Sequence, residues 1–263
     1  MTPIVIFDID GVVRDVAQSY RRALADTVEH FTNGAYRPSS EDIDTLKSEG
    51  IWNNDWEASQ ELVYRYFEAL GPQRESIMLD YDTLVAFFQS RYRGTNWDGY
   101  ICFEPLLLQP SYLESLADAG ISWGFFSGAT RGSASYVLEG RLGLKSPILV
   151  AMEDAPGKPD PTGLLATVRL LENEGATPVI YVGDTVGDMY TVEKARIQDD
   201  KRRWIGVGVL PPHVQESPSR KDAYAETLLQ AGAAVVLSNV QELTPERIGK
   251  LVVAVAIDGI MPD

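Results

Sequence analysis

The sequence predicts an α/β fold: a doubly wound, mostly parallel, Rossmann-like sheet with an inserted α-helical domain. It starts with a short, continuous apolar run at residues 4–7, typical of a strand buried on both faces of a parallel sheet. In the second half, β-rich runs alternate with helical stripes, which indicates βαβ units. Between these regions the spacing of apolar residues is only helical. We therefore predict a core domain from residues 1–14 and 99–263, and an α-helical domain from 15–98.

The individual elements follow from the same patterns. Strands are predicted at 121–126, 147–152, 177–183, 204–209 and 233–237, and core helices at 112–119, 133–142, 162–172, 186–195, 224–231 and from 244 onward. In the insertion, apolar spacing predicts a helix over 17–31, a second starting at 40–41, a third through 62–70 and a fourth through 84–92.

Composition narrows the class of partner and compartment. With 23 basic and 38 acidic residues the net charge is −15, which argues against nucleic acid or an anionic membrane as the main partner. The single Cys102 cannot form an internal disulfide, and the first apolar run is too short for a signal peptide. We expect a cytoplasmic protein that does not span a membrane and whose ligand is a small molecule; the oligomeric state is left open.

The first strand leads directly into Asp8, Ile9, Asp10 and Gly11. Open α/β sheets place their chemistry at the carboxyl ends of the strands, so both carboxylates are expected at that edge. Two neighbouring carboxylates repel each other unless a cation lies between them. The stretch is interpreted as half of a metal-dependent site.

Further polar residues follow later predicted strands. Ser127 and Gly128 follow the second, the isolated Lys158 comes shortly after the third, and Asp184 and Asp188 follow the fourth, at the start of a helix. Carboxylate oxygens at this density favour a divalent cation such as Mg²⁺. A hydroxyl and an ammonium group suit the oxygens of a phosphoryl group, and a free carboxylate can attack phosphorus.

This ordered combination resembles the haloacid dehalogenase superfamily, specifically its phosphatases with a helical cap inserted after the first motif. The resemblance implies that Asp8 is the nucleophile and Asp10 the general acid/base. It implies that Ser127 binds the phosphoryl oxygens and that Lys158 offsets the charge on Asp8 and the phosphoryl group. It further implies Mg²⁺ held by Asp8, by the backbone carbonyl of Asp10 and by Asp184, with Asp188 as a ligand or behind the ligands.

Some residues depart from the common pattern of that superfamily. Gly128 stands where many relatives have asparagine, though its backbone N–H remains available to a phosphate. Arg14 stands where smaller residues are common; it is interpreted either as a contact to a substrate carboxylate or second phosphate, or as a surface salt bridge. In the insertion, Asn53, Asn54 and Trp56 are candidate substrate contacts, with turn formation and packing as the alternative for the same loop.

Asp10 discriminates among members of the superfamily. The resemblance implies that dehalogenases and phosphonate-cleaving members lack an acid there, so phosphate-ester chemistry is favoured. The expected function is hydrolysis of a small soluble phosphomonoester. A sugar-phosphate mutase of the β-phosphoglucomutase type, and a catalytically silent binding or regulatory member of the fold, remain as alternatives.

Overall fold

Six parallel strands form the central sheet of the core, in the order β3-β2-β1-β4-β5-β6. The computed structural model describes residues 2–52, 54–172 and 175–258, the last four of these without their side chains. The strands are β1 (Ile4–Phe7), β2 (Ser122–Phe126), β3 (Leu149–Val150), β4 (Val179–Gly183), β5 (Trp204–Val209) and β6 (Ala233–Leu237). The predicted parallel α/β fold is confirmed.

The strand order reverses between β1 and β4. From β1 the chain proceeds outward through β2 and β3, then returns to pair β4 on the other side of β1. A reversal of this kind opens a crevice at the carboxyl ends of the two central strands. The fold thereby places the residues after β1 and β4 side by side.

Both faces of the sheet are buried, as the continuous apolar run of β1 predicts. Val5 and Phe7 contribute to one hydrophobic cluster, whereas Ile4 and Ile6 contribute to a second cluster on the opposite face. All four residues are at most 3% exposed. Alternate residues pack on alternate faces because strand side chains point to opposite sides with a period of two.

Helices of the core cover these two faces. They are α5 (Pro110–Asp118), α6 (Arg131–Ser135), α7 (Thr162–Leu171), α8 (Val186–Gln198), α9 (Pro218–Gln230) and α10 (Pro245–Asp258). Some predicted bounds need correction. Strand β3 has only two residues instead of the six of 147–152, and the helix predicted at 224–231 begins at Pro218. The helix predicted at 133–142 is found, as a short α-helix that continues as a π-helix, Tyr136–Arg141. A short apolar edge segment does not by itself show where pairing with a neighbouring strand stops.

The insertion forms a separate compact unit, residues 16–105, and the core unit comprises residues 1–15 and 106–263. It contains α1 (Tyr20–Phe31), α2 (Ser40–Ser48), α3 (Asp55–Ala69) and α4 (Tyr81–Tyr92), and no strand lies among its described residues. Tyr20 packs edge-on against Phe88 and Tyr92, joining α1 to α4.

This unit ends later in the chain than the predicted residue 98. The hydroxyl of Tyr100 donates to Asp26 at 2.7 Å, and the hydroxyl of Ser19 donates to Glu104 at 2.5 Å. Both bonds connect the segment after α4 to the start of the helical unit. They explain why residues 99–105 belong with the helices.

The described residues contain no helix whose length and hydropathy would suffice to span a bilayer.

Candidate active site

Asp8 and Asp184 lie next to each other at the reversal point of the sheet. Phe7 pairs with Val182, and the backbone N–H of Asp8 donates to the carbonyl of Val182 at 2.8 Å. The next residues along the two strands therefore leave the sheet at the same edge. Both carboxylates are buried, with 6% and 8% of the residue exposed.

Lys158 reaches into this edge from the loop after β3. Its Nζ lies 2.9 Å from Oδ2 of Asp8 and 2.6 Å from Oδ1 of Asp188. The ammonium group also lies 5.4 Å from the ring centres of Phe126 and Tyr181. The lysine thus holds two carboxylates together in a buried region.

The turn after β1 allows Asp184 to approach the backbone closely. Gly11 has φ +73°, and a Cβ at this position would lie 2.0 Å from Oδ2 of Asp184. Any other residue would therefore be strained and would also occupy the position of the carboxylate. Glycine is required here by both geometry and space.

Asp188 is bonded on both of its carboxylate oxygens. Oδ1 accepts from Lys158 and from the hydroxyl of Tyr181 at 3.0 Å, while Oδ2 accepts from the N–H and hydroxyl of Thr185 at 3.0 and 2.7 Å. The Thr185 contacts form a capping box at the start of α8. Asp188 therefore both anchors the lysine and caps the start of α8.

Tyr181 is a site residue that the sequence pattern did not reveal. It lies inside β4 and is fully buried, like the apolar residues around it. The packing of α8 against β4 brings its hydroxyl to Asp188. No signal in the sequence distinguishes it from an ordinary core tyrosine.

Burial and mutual repulsion set the protonation of these groups. Burial, together with the charges of Asp188 and Asp10, raises the pKa of Asp8 to about 7, although Lys158 opposes the shift. Burial and the charges of Asp188 and Asp8 raise the pKa of Asp184 well above its usual value. Burial acts against ionisation of Asp188 as well, but Lys158 and Thr185 outweigh it and lower its pKa.

The side chain of Asp10 forms a salt bridge with Arg14. The Nε of Arg14 donates to Oδ1 of Asp10 at 2.6 Å, and Nη2 lies 2.6 Å from the same oxygen. Arg14 is fully buried, whereas the side chain of Asp10 is 23% exposed. Arg14 thus forms a salt bridge, one of its two predicted roles, but its guanidinium is buried and does not lie on the surface.

Ser127 ends β2 as predicted, on the strand that pairs with β1. Its N–H donates to Val150, and its hydroxyl accepts from the N–H of Ala129 at 3.2 Å, which closes a tight turn. A Cβ added to Gly128 would meet nothing within 4 Å, so the backbone here is open to a ligand. Ser127 and Gly128 thus flank the carboxylates on the β2 side.

The residues present fit an oxygen-preferring divalent cation. One oxygen from each of Asp8, Asp184 and Asp188 lies within 4.8 Å of the others. Oδ1 of Asp8 is buried and has no hydrogen-bond partner among the described residues. Since Lys158 balances only one of the three carboxylate charges, a divalent cation would neutralise the rest. Asp8 and Asp184 are the better ligands, because both oxygens of Asp188 are already engaged.

Gly11→Ala is expected to weaken Mg²⁺ binding by about 10- to 100-fold, the range found when the surroundings of a metal ligand are disturbed. The added methyl group would displace Asp184 and strain the turn. Calorimetric titration with Mg²⁺ measures the change. Gly249→Ala is the matched control, since a Cβ there meets nothing within 4 Å. An unchanged affinity in Gly11→Ala would show that Asp184 does not hold the cation.

The predicted substrate contacts of the insertion are placed within the helical unit. Asn53 lies outside the described residues. Asn54 is the N-cap of α3, and its side-chain oxygen accepts from the N–H of Trp56 at 3.0 Å. This is the helix-start role that an asparagine commonly plays, and Trp56 is half-buried.

An all-parallel sheet with buried carboxylates and a lysine at its reversal point defines a class of α/β enzymes with a charged, cation-compatible active site. The family follows from comparison with known proteins. Residues 2–196 match the family model described as haloacid dehalogenase-like hydrolase. The chain therefore belongs to this family and is a hydrolase, as the resemblance of its motifs predicted.

Solved structures share the fold at low identity. A hydrolase from Pseudomonas syringae matches with a TM-score of 0.65 and 18% identity over 99% of this chain and 100% of its own. A phosphonoacetaldehyde hydrolase-like protein from Oleispira antarctica gives 0.71 and 17%, covering 99% and 96%. β-Phosphoglucomutase from Clostridium difficile gives 0.63 and 15%, covering 98% and 100%.

A curated relative is longer than this chain. The imidazoleglycerol-phosphate dehydratase of Phytophthora nicotianae is 30% identical over 243 residues, which is 89% of this chain but 49% of the relative. The chain therefore spans about half the length of this protein.

Proposed function

We propose that the chain is a Mg²⁺-dependent phosphatase that hydrolyses a small soluble phosphomonoester through an aspartyl-phosphate on Asp8. The observation that supports this proposal most directly is the different environment of the two carboxylate oxygens of Asp8. Lys158 binds its Oδ2, while its Oδ1 is buried without a hydrogen-bond partner among the described residues. Lys158 thus fixes one oxygen, and the unpartnered oxygen is the one that could bond to the cation or to phosphorus.

The proposed reaction has two steps. In the first, an oxygen of Asp8 bonds to phosphorus, the ester P–O bond breaks, and the leaving alkoxide takes a proton from Asp10. In the second, Asp10 removes a proton from water, the water oxygen bonds to phosphorus, and phosphate leaves with Asp8 restored. Asp10 suits both proton transfers because its side chain is partly exposed beside the buried nucleophile.

The other residues stabilise charge during these steps. Lys158 would offset the negative charge shared by Asp8 and the phosphoryl oxygens, and Ser127 and the N–H of Gly128 would bind those oxygens. Mg²⁺, held by Asp8, Asp184 and the backbone carbonyl of Asp10, would supply further positive charge to the phosphoryl group. Asp188 would act behind them by holding Lys158 in place.

Phosphate release in the presence and absence of EDTA tests the proposal. The panel contains phosphorylated sugars, phosphoglycolate, glycerol phosphate and nucleotides. Mg²⁺-dependent release from at least one small ester is expected. Isomerisation of a sugar phosphate without phosphate release would instead identify a mutase, and no turnover of any ester would favour a silent binding protein.

Imidazole-bearing phosphomonoesters belong in the same panel. The oomycete relative is named for a dehydratase of imidazoleglycerol phosphate, and this chain corresponds to about half of it. We propose this substrate class as the first to be tested, with equal turnover of unrelated esters as the contrary result.

Mg²⁺ is expected to stabilise the protein more at pH 8 than at pH 5. The pKa of Asp8 is raised to about 7 without metal, so stability without metal falls as pH rises from about 4 to 7 and stays low above that. At pH 8, where Asp8 has lost its proton, Mg²⁺ would offset the charge of the carboxylates. Mg²⁺ at 100 times its Kd adds about 2.7 kcal/mol, or roughly 5–10 °C in Tm. Differential scanning calorimetry with Mg²⁺ or EDTA measures this, and an equal shift at both pH values would contradict it.

A further inference from the structure

Arg14 contacts a single oxygen of the proposed acid/base Asp10. Both Nε and Nη2 lie 2.6 Å from Oδ1, and neither of these two contacts involves Oδ2. A carboxylate held in this way cannot rotate freely, so its two oxygens take different roles. The contact therefore distinguishes the anchored Oδ1 from Oδ2.

The backbone fixes Arg14 in this place. The carbonyl of Arg14 accepts from the N–H of Gly11 at 2.9 Å, and its N–H donates to the carbonyl of Ile9 at 3.2 Å. Arg14 also forms an isolated β-bridge to Leu106 within the core unit. The segment from Ile9 to Arg14 is therefore closed by its own hydrogen bonds, and the guanidinium returns onto the residue four positions earlier.

The guanidinium of Arg14 is buried, although it carries a charge. Arg14 is 0% exposed, and burying a guanidinium is unfavourable unless its charge is matched. Here the arginine is buried while the side chain of Asp10 remains 23% exposed. The buried charge thus supports a carboxylate that stays accessible.

We propose that Arg14 is a positioning residue that anchors Oδ1 of Asp10 and leaves Oδ2 to carry the transferred proton. The inference rests on the proposed phosphatase mechanism and adds a residue to it. The contact with Asp10 favours this role over the predicted contact to substrate. A misplacement of an acid by about 1 Å can reduce a rate by about 10²-fold.

Leaving-group dependence is the experimental readout. Protonation by Asp10 matters for an alkyl phosphate, whose alkoxide leaves poorly, and hardly matters for p-nitrophenyl phosphate, whose phenolate leaves unprotonated. The value of kcat/KM reports the step in which the leaving group departs. Arg14→Met is expected to lower kcat/KM about 10- to 100-fold on the alkyl ester and less than about 3-fold on p-nitrophenyl phosphate.

Two further variants complete the set. Arg14→Lys keeps a charge near Asp10 and is expected to recover part of the lost rate on the alkyl ester; it also serves if Arg14→Met does not fold. Arg202→Met removes another arginine of the core unit, whose side chain is 8% exposed and pairs with Glu172 at 2.6 Å. Arg202 lies before the amino-terminal end of β5, whereas the site lies at the carboxyl ends of the strands. It should leave the ratio between the two substrates unchanged.

A double-mutant cycle with Asp10→Asn tests whether Arg14 acts through Asp10. Asp10→Asn should show the same selective loss on the alkyl ester, and adding Arg14→Met to it should cause little further loss. Equal losses on both substrates in Arg14→Met, a rise in KM alone, or losses that add to those of Asp10→Asn would each overturn the positioning role. If Asp10→Asn itself showed no selectivity for the leaving group, the proposed mechanism would fail as well.

Discussion

The Asp8→Asn variant is expected to lose at least about 10⁴-fold in kcat, as enzymes do when their nucleophile is removed. The amide has the same shape as the carboxylate but cannot form the aspartyl-phosphate. Stability should be preserved. Because the pKa of Asp8 is raised to about 7, its ionised form is disfavoured in the native state at pH 8. A neutral side chain removes that cost, so the Tm in EDTA should be no lower than that of the wild type.

Asp118→Asn is the matched control for this variant, since Asp118 is exposed at the end of α5. It should leave both kcat and Tm unchanged. Steady-state assays on the best ester of the panel, together with calorimetry, provide the comparison. Activity within about tenfold of the wild type in Asp8→Asn would exclude a covalent role for this residue.

Lys158→Met is expected to lower both stability and activity. The lysine bridges Asp8 and Asp188, so its removal leaves two buried carboxylates uncompensated. Breaking one side of a buried pair costs about 3–5 kcal/mol. The loss should be largest above pH 7 in EDTA and should shrink towards pH 5, where Asp8 is protonated in the wild type too. We expect kcat to fall by about 10²- to 10³-fold.

Lys145→Met is the corresponding control, because Lys145 is exposed in the loop before β3. Denaturant unfolding at pH 5 and pH 8 separates the two lysines. A Lys158→Met protein as stable as the wild type at pH 8 would mean that the three carboxylates do not depend on this ammonium group.

The central part of the fold was predictable because its signals are local. The four apolar residues of β1 are buried on both faces, and β5 and β6 have the predicted bounds. The β3 segment was predicted too long, because pairing at the end of an edge strand depends on its neighbour rather than on its own residues. The end of the helical unit was missed for a similar reason, as long-range bonds of Tyr100 and Glu104 set it.

The candidate site was predictable where chemistry and strand ends coincide. Asp8, Lys158, Asp184 and Asp188 converge as expected, because parallel strands deliver their carboxyl ends to one edge. The partners of these residues were not predictable. That Arg14 turns onto Asp10, and that the hydroxyl of Tyr181 meets Asp188, depends on backbone pairing and burial that no spacing of residues reveals.

Trapping the intermediate tests the central claim most directly. The enzyme is mixed with its best ester and Mg²⁺, and the reaction is quenched in acid within a single turnover. The protein is then digested, and the masses of its peptides are measured by mass spectrometry. We predict one phosphoryl group on the peptide that carries Asp8 in the wild type, and none on that peptide in Asp8→Asn. Phosphate release without a phosphorylated peptide, or a phosphoryl group on a different residue, would contradict the mechanism.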